Sequence, residues 1–167
     1  EAPEAQKRIE SRKLDALVGL AETTKCRRQV ILSYFGEDRH EPCGNCDTCL
    51  EPVETWDATE ASRKALSAVY RTGQRFGPAH VIEVLIGRKT EKIRQNGHDN
   101  ISVYAIGKDI AQPQWRSVFR QLLAMGYLQV DVEGHGGVYL TEESRPVLRG
   151  EKVVEMRKDP GESKRAT

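Results

Sequence analysis

Residues 41–50 read EPCGNCDTCL, placing Cys43, Cys46 and Cys49 at successive spacings of three, and sixteen residues separate Cys43 from Cys26. A Cys-x-x-Cys turn directs two sulfurs at one point about 2.3 Å from a zinc ion, and a distant fourth cysteine ties the loop to the chain before it. Gly44 and Asn45 supply the turn such a knuckle needs. Four thiolates fill a tetrahedral shell and leave no position for water, so the expected zinc is structural, not catalytic. The spacing is also ferredoxin-like, which keeps an iron–sulfur cluster as the competing reading, although no proline follows the clustered cysteines. His40 is near enough to replace a sulfur but is not expected to. Crowding three cysteines into seven residues argues against the disulfide framework of a secreted mini-protein.

Upstream of the knuckle, Ile9, Leu14, Leu17, Val18 and Ala21 recur at roughly helical spacing, which predicts an amphipathic helix over 6–22. Thr23 and Thr24 break it, and a second helix is expected from Lys25 to Phe35, stopped by Gly36. A hairpin of fewer than about 60 residues has too little core to stand alone, so a metal clip would supply the missing stability.

Downstream, LEPVETWDA (50–58) reads as a linker. Helices are then expected over 59–72, 80–86 and 115–125, the last preceded by a loop holding Pro113. Strands follow at 127–132 and 138–141, joined by EGHGG, whose glycines permit the positive φ angles of a hairpin turn. Three helices followed by a β-hairpin are the plan of a winged helix. The predicted fold is therefore mainly α with a small β-hairpin: a zinc-bound helical hairpin with its linker (1–57), a winged-helix DNA-binding domain (58–150) and a charged, flexible tail (151–167).

The net charge of +1 conceals segregation by sign. Residues 37–61 hold one Lys or Arg against eight Asp or Glu, and residues 62–125 hold eleven against four. A basic surplus of that size suits a polyanion such as DNA, because each cation that neutralises a phosphate releases a counterion. The candidate contacts are Arg88, Lys89, Lys92 and Arg94 in GRKTEKIR, Lys108 beside Gly107 before the third helix, and Arg116, Arg120 and Gln121 displayed by it. Trp115 is expected in the core. His135 sits between glycines at the wing tip, where it could reach a terminal base pair, whereas His80 and His98 read as hydrogen-bonded structural residues. The opening EAPEAQKRIESRKLD is charged and no run of about 18 apolar residues occurs, so neither a signal peptide nor a membrane span is expected, and the chain is placed in the cytoplasm.

Seven stretches, CRRQVILSYFGE, EPCGNCDTCL, QRFGPAHVIEVLIG, KIRQNGHD, VYAIGKD, WRSVFRQLLAMGYL and YLTEESRPVLRG, together resemble the C-terminal region of bacterial RecQ helicases, from Cys26 to Gly150. The resemblance implies zinc ligands at Cys26, Cys43, Cys46 and Cys49. It also implies winged-helix phosphate contacts at Arg88, Lys89, Lys108 and Arg116. Animal relatives carry an aromatic strand-separating wedge at the wing tip, where only His135 stands here. The implied parent enzyme uses ATP and Mg2+ to unwind DNA in the 3′ to 5′ direction in replication, recombination, repair and the SOS response. Its implied partners are duplex or forked DNA, the motor domains in cis and single-strand-binding protein, with a place at the bacterial nucleoid. No GxxxxGK[ST] loop exists: before the pair Gly107–Lys108, Ser102 stands where glycine is required, and Asp109 follows in place of Ser or Thr. The chain thus reads as a fragment that is inactive by itself.

Two other classes compete. A metal-containing winged-helix transcription regulator would bind one operator sequence, usually as a symmetric dimer. A protein-interaction module would use its apolar helical face and ignore DNA at any salt concentration.

Overall fold

The computed structural model describes residues 3–159. Residues 57–156 form one compact unit, and the described residues on either side of that span form the other.

In the smaller unit, α1 (Glu4–Glu22) starts directly after Pro3, whose carbonyl accepts the Gln6 N–H at 2.9 Å. It ends at Thr23, whose hydroxyl accepts the Lys25 N–H at 3.1 Å and turns the chain. α2 (Arg27–Tyr34) begins at Cys26 and stops at Gly36, which takes φ +82° while the Glu37 N–H closes back on the Leu32 carbonyl at 2.9 Å. α3 (Asp47–Leu50) is a single turn inside the cysteine knuckle. β1 (Thr55–Asp57) is a three-residue strand.

The apolar stripe expected to seal this hairpin does not: Ile9 is 48% exposed, Leu14 60% and Leu17 62%, and α2 buries nothing. Among the described residues of the unit only Cys26 and Thr48 are buried. Two helices, the second of only eight residues, present too little surface to wrap an apolar centre, so the sulfur cluster takes its place.

In the larger unit, α4 (Thr59–Arg71) starts where Asp57 Oδ1 accepts both the Thr59 N–H (3.0 Å) and its hydroxyl (2.6 Å). Those bonds hold the Asp57 carboxyl below its usual pKa. The small residues Ala61, Ser62, Ala65 and Ala68 line its buried side and let α5 (Pro78–Ile86) approach. α5 has proline in its first turn and ends on Gly87 at φ +76°. α7 (Gln112–Ala124) crosses both and contributes the largest core residues, Trp115 and Phe119. Between them lies α6 (Glu91–Gln95), capped by Thr90, whose hydroxyl accepts the Ile93 N–H. β2 (Leu128–Val130) and β3 (Val138–Leu140) form the antiparallel wing in the register Leu128↔Leu140, Gln129↔Tyr139, Val130↔Val138. α8 (Arg145–Leu148) and β4 (Glu155–Arg157) complete the described chain.

The mainly α architecture with one small hairpin agrees with expectation, and several details differ. α6 and α8 add to the three anticipated helices, because stretches of four or five residues carry no readable period. α7 begins three residues before Trp115, with Pro113 inside its first turn instead of in the loop before it. The flexible tail assigned from residue 151 does not begin there. Val154 and Met156 are buried, the Ala58 N–H donates to the Val154 carbonyl at 2.8 Å, and the Val154 N–H donates to the Thr59 hydroxyl at 2.9 Å. Residues 160–167 of that assignment lie outside the described residues.

Candidate metal centre and nucleic-acid interface

The sulfurs of Cys26, Cys43, Cys46 and Cys49 all lie within 4.8 Å of one another, with Cys43–Cys49 and Cys26–Cys46 each at 4.0 Å. Four sulfurs about 2.3 Å from one tetrahedral ion stand about 3.8 Å apart. The four thiols are free, and 4.0 Å is far beyond the length of a disulfide, about 2.05 Å. An iron–sulfur cluster, whose four thiolates are spread over two or more irons, would not hold all four sulfurs as close together as a single ion does. The residues therefore fit one closed tetrahedral ion, and His40 is not part of the group.

Polar groups around the sulfurs favour the charged form unevenly. The Thr48 hydroxyl, 3.2 Å from Cys46 Sγ, and then the Arg27 backbone N–H bring the Cys46 thiol down to about 5. The Cys43 N–H, 3.3 Å from Cys26 Sγ, lowers Cys26. The Gly44 N–H pulls Cys49 in the same direction, but the neighbouring thiol of Cys46, burial and the other sulfurs outweigh it and push Cys49 up to about 11. Four adjacent thiolates repel, and a divalent cation removes that conflict. Thr48 also donates to the Lys25 carbonyl at 2.8 Å, and Arg27 joins the carboxylate of Asp47 at 2.7 Å and the Leu20 carbonyl. These supports were not read from the sequence, since spacing locates ligands but not the groups that hold them.

In the larger unit, residues 101–110 run along the end of α5. The N–H groups of Ala105 and Gly107 donate to the carbonyls of Val84 (2.9 Å) and Leu85 (2.8 Å) in the last turn of the helix. The Tyr104 hydroxyl lies within 3.2 Å of the Gly87 and Arg88 carbonyls. This bonding brings the Lys108 loop and the Arg88–Lys89 segment to one end of α5. The buried Trp115 ring fixes the loop to α7 by donating its Nε1–H to the Gly107 carbonyl at 2.8 Å. Trp115 is thus core, as expected.

Arg88, Lys89, Lys92, Lys108, Arg116, Arg120 and His135 are all exposed. Arg88, Lys89, Lys92, Lys108 and Arg116 form no ion pair with a described residue. Asp109, next to Lys108, is drawn to Lys64 at 3.5 Å instead. Arg116 and Arg120, four apart on α7, share a face. Gln121 does not join them: it is 2% exposed and reaches Ser117 Oγ at 3.1 Å, so its place on the displayed side is corrected. Lys89 and Arg94 line a shallow concavity with Ile93, Asp99 and Tyr104. His135 stands apart in the wing turn, whose shape is set by Asp131 accepting the Gly134 N–H at 3.0 Å.

His80 and His98 are buried and bonded to each other, Nε2 to Nδ1 at 2.8 Å. The Phe76 ring stacks on His80, with centroids 4.5 Å apart, and meets His98 edge-on at 4.9 Å. The structural reading of both histidines holds, with the addition that each is the other's partner. Burial, then the proximity of His98 and Lys92, pushes His80 down to about 4, and burial also lowers His98.

Residues 52–165 match the RQC domain family, and residues 1–50 match the RecQ zinc-binding family. Over 158 residues the chain is 45% identical to the ATP-dependent DNA helicase RecQ of Pasteurella multocida, covering 93% of this chain and 25% of that protein. It is 44% identical to the protein of the same name from Haemophilus influenzae, covering 93% of this chain and 26% of that one. The corresponding figure for Bacillus subtilis is 29% over 151 residues. The chain spans about a quarter of the length of these relatives.

Proposed function

The chain belongs to the RecQ helicase family, as a zinc-binding module joined to an RQC winged-helix domain, and from that premise we propose that it grips duplex DNA at a fork by its phosphates. The observation that carries the reading is the bonding of residues 101–110 along α5, which gathers Lys108, Arg88 and Lys89 without a paired carboxylate among the described residues. Cations so placed contact the backbone of any sequence, which gives affinity and orientation without base choice. Arg116 and Arg120 extend the surface along α7, Lys92 extends it along α6, and His135 meets the duplex end from the wing.

Cys26, Cys43, Cys46 and Cys49 hold zinc, which supplies a rigid cross-link and no open coordination site. The unwinding itself belongs to motor domains in cis, which use ATP and Mg2+ to move 3′ to 5′ while the winged helix holds the duplex ahead. Single-strand-binding protein is a further partner of the assembled enzyme. Its setting is the bacterial cytoplasm and nucleoid, and its work is replication, recombination, repair and the SOS response.

The test is fluorescence anisotropy of the chain with a forked duplex and with unrelated duplexes across a salt series. Sequence-independent binding that collapses with salt is expected. Tight binding to a single sequence would instead make the protein a transcription regulator, and indifference to DNA at every salt concentration would make it a protein-interaction module.

A further inference from the structure

The turn between α4 and α5 carries an arginine outside the proposed set of contacts. Arg75 and Lys92 lie seventeen positions apart, yet the Arg75 guanidinium sits 5.2 Å and the Lys92 ammonium 5.6 Å from the centre of the same Phe76 ring. Both side chains are exposed, and neither forms an ion pair with a described residue. Two cations drawn to one aromatic ring, with no carboxylate paired to either among the described residues, keep their charge available to an anion.

The platform beneath them is rigid. Phe76 rests on the bonded pair His80–His98, and its carbonyl accepts the Val138 N–H of the wing at 2.9 Å. Gly137 passes so close that a Cβ there would stand 2.5 Å from the Arg75 backbone. Gln74 takes φ +55°, which non-glycine residues rarely adopt, and its Oε1 accepts the Leu140 N–H at 3.0 Å. A non-glycine residue in this strained region persists only where its surroundings impose it, and such residues gather at functional sites. Here the imposed conformation fixes Arg75 at the root of the wing.

We propose that Arg75 and Lys92, held over Phe76, form a clamp for one phosphate of duplex DNA at the base of the wing. The inference rests on the DNA-binding reading above and extends it from α7 to the wing root. A contact of this kind adds affinity for any sequence and fixes the angle at which the wing meets the duplex.

The experiment measures binding of a fluorescein-labelled mixed-sequence duplex as a function of salt for the wild-type chain, R75Q, R75K, K92Q and K108Q. Each phosphate contact contributes about 0.9 to the slope of log K against log salt. The expected result is a several-fold weaker Kd and a slope shallower by about 0.9 for R75Q, recovery in R75K, and an unchanged melting temperature. Should R75Q melt early, K92Q supplies the same reading from an exposed side chain on α6. A normal slope in R75Q and K92Q with a shallower one in K108Q would overturn the clamp and leave the DNA-binding function standing. Absence of salt-dependent binding in the wild-type chain would overturn both.

Discussion

Lowering the pH from 7 to 5 should destabilise the 57–156 unit by about 2 kcal/mol through a single buried side chain. His80 titrates at 6.5 when solvated and is pushed to about 4 in the fold by burial, with His98 and Lys92 adding to the effect. A histidine whose pKa is depressed by folding binds fewer protons folded than unfolded. Its contribution is therefore intact above 6.5 and declines as pH falls toward the folded value. Over the full window to pH 4 the loss reaches about 3 kcal/mol, of which about 2 is gone by pH 5. His98, also lowered, acts in the same direction. For a domain of about 100 residues, 2 kcal/mol is a fall in Tm of about 10 °C. The assay is thermal melting of the zinc-saturated wild type and of His80→Gln between pH 7 and pH 5. Because acid also protonates cysteines, the quantity read is the difference in pH dependence between the two proteins. Parallel curves would refute the argument, since the variant lacks the titrating ring.

Three further outcomes can be checked. Cys46→Ser should abolish binding of one zinc per chain, measured by native mass spectrometry, and remove the amide protection of α1 and α2 while that of residues 57–156 persists, because metal affinity here is folding free energy. Gly107→Ala should lower stability by about 1–3 kcal/mol in denaturant melts, since a Cβ there would lie 2.6 Å from the Trp115 ring; the same shift displaces Lys108 and should weaken duplex binding. Asp57→Ala removes the acceptor of two bonds at the start of α4 and should reduce stability by about 1 kcal/mol in the same assay.

What was legible in the sequence follows from how local each signal is. The cysteine spacing located four ligands that the fold brings within 4.8 Å, because a Cys-x-x-Cys turn settles most of that geometry within seven residues. The long periodic helices were likewise readable: the expected 59–72 is Thr59–Arg71 in the structure. Burial that depends on distant partners was not. Gln121 sits on α7 at a position that looks displayed, and only the surrounding fold places it at 2% exposure. The stripe of α1 looks like a core face, but no element of its own unit is large enough to cover it. Val154 and Met156 stand in a charged stretch whose composition suggests a tether, yet backbone bonds to Ala58 and the Thr59 hydroxyl draw it back. Arg75 was missed for a similar reason: its meeting with Lys92 over Phe76 joins positions seventeen residues apart.

Because Cys26 and Thr48 alone are buried among the described residues of the smaller unit, its cohesion is a property of its medium as much as of its sequence. A fold held by ligation follows the chemical potential of the ion: while free zinc exceeds its dissociation constant, each tenfold fall removes about 1.4 kcal/mol, at constant temperature and without denaturant. A chelator or a thiol oxidant would thus dissolve the hairpin at 25 °C. The 57–156 unit, closed by Trp115 and Phe119, contains no cysteine and would retain its structure. The two halves of one short polypeptide therefore answer to different stresses, the first to metal supply and the second to heat and acid.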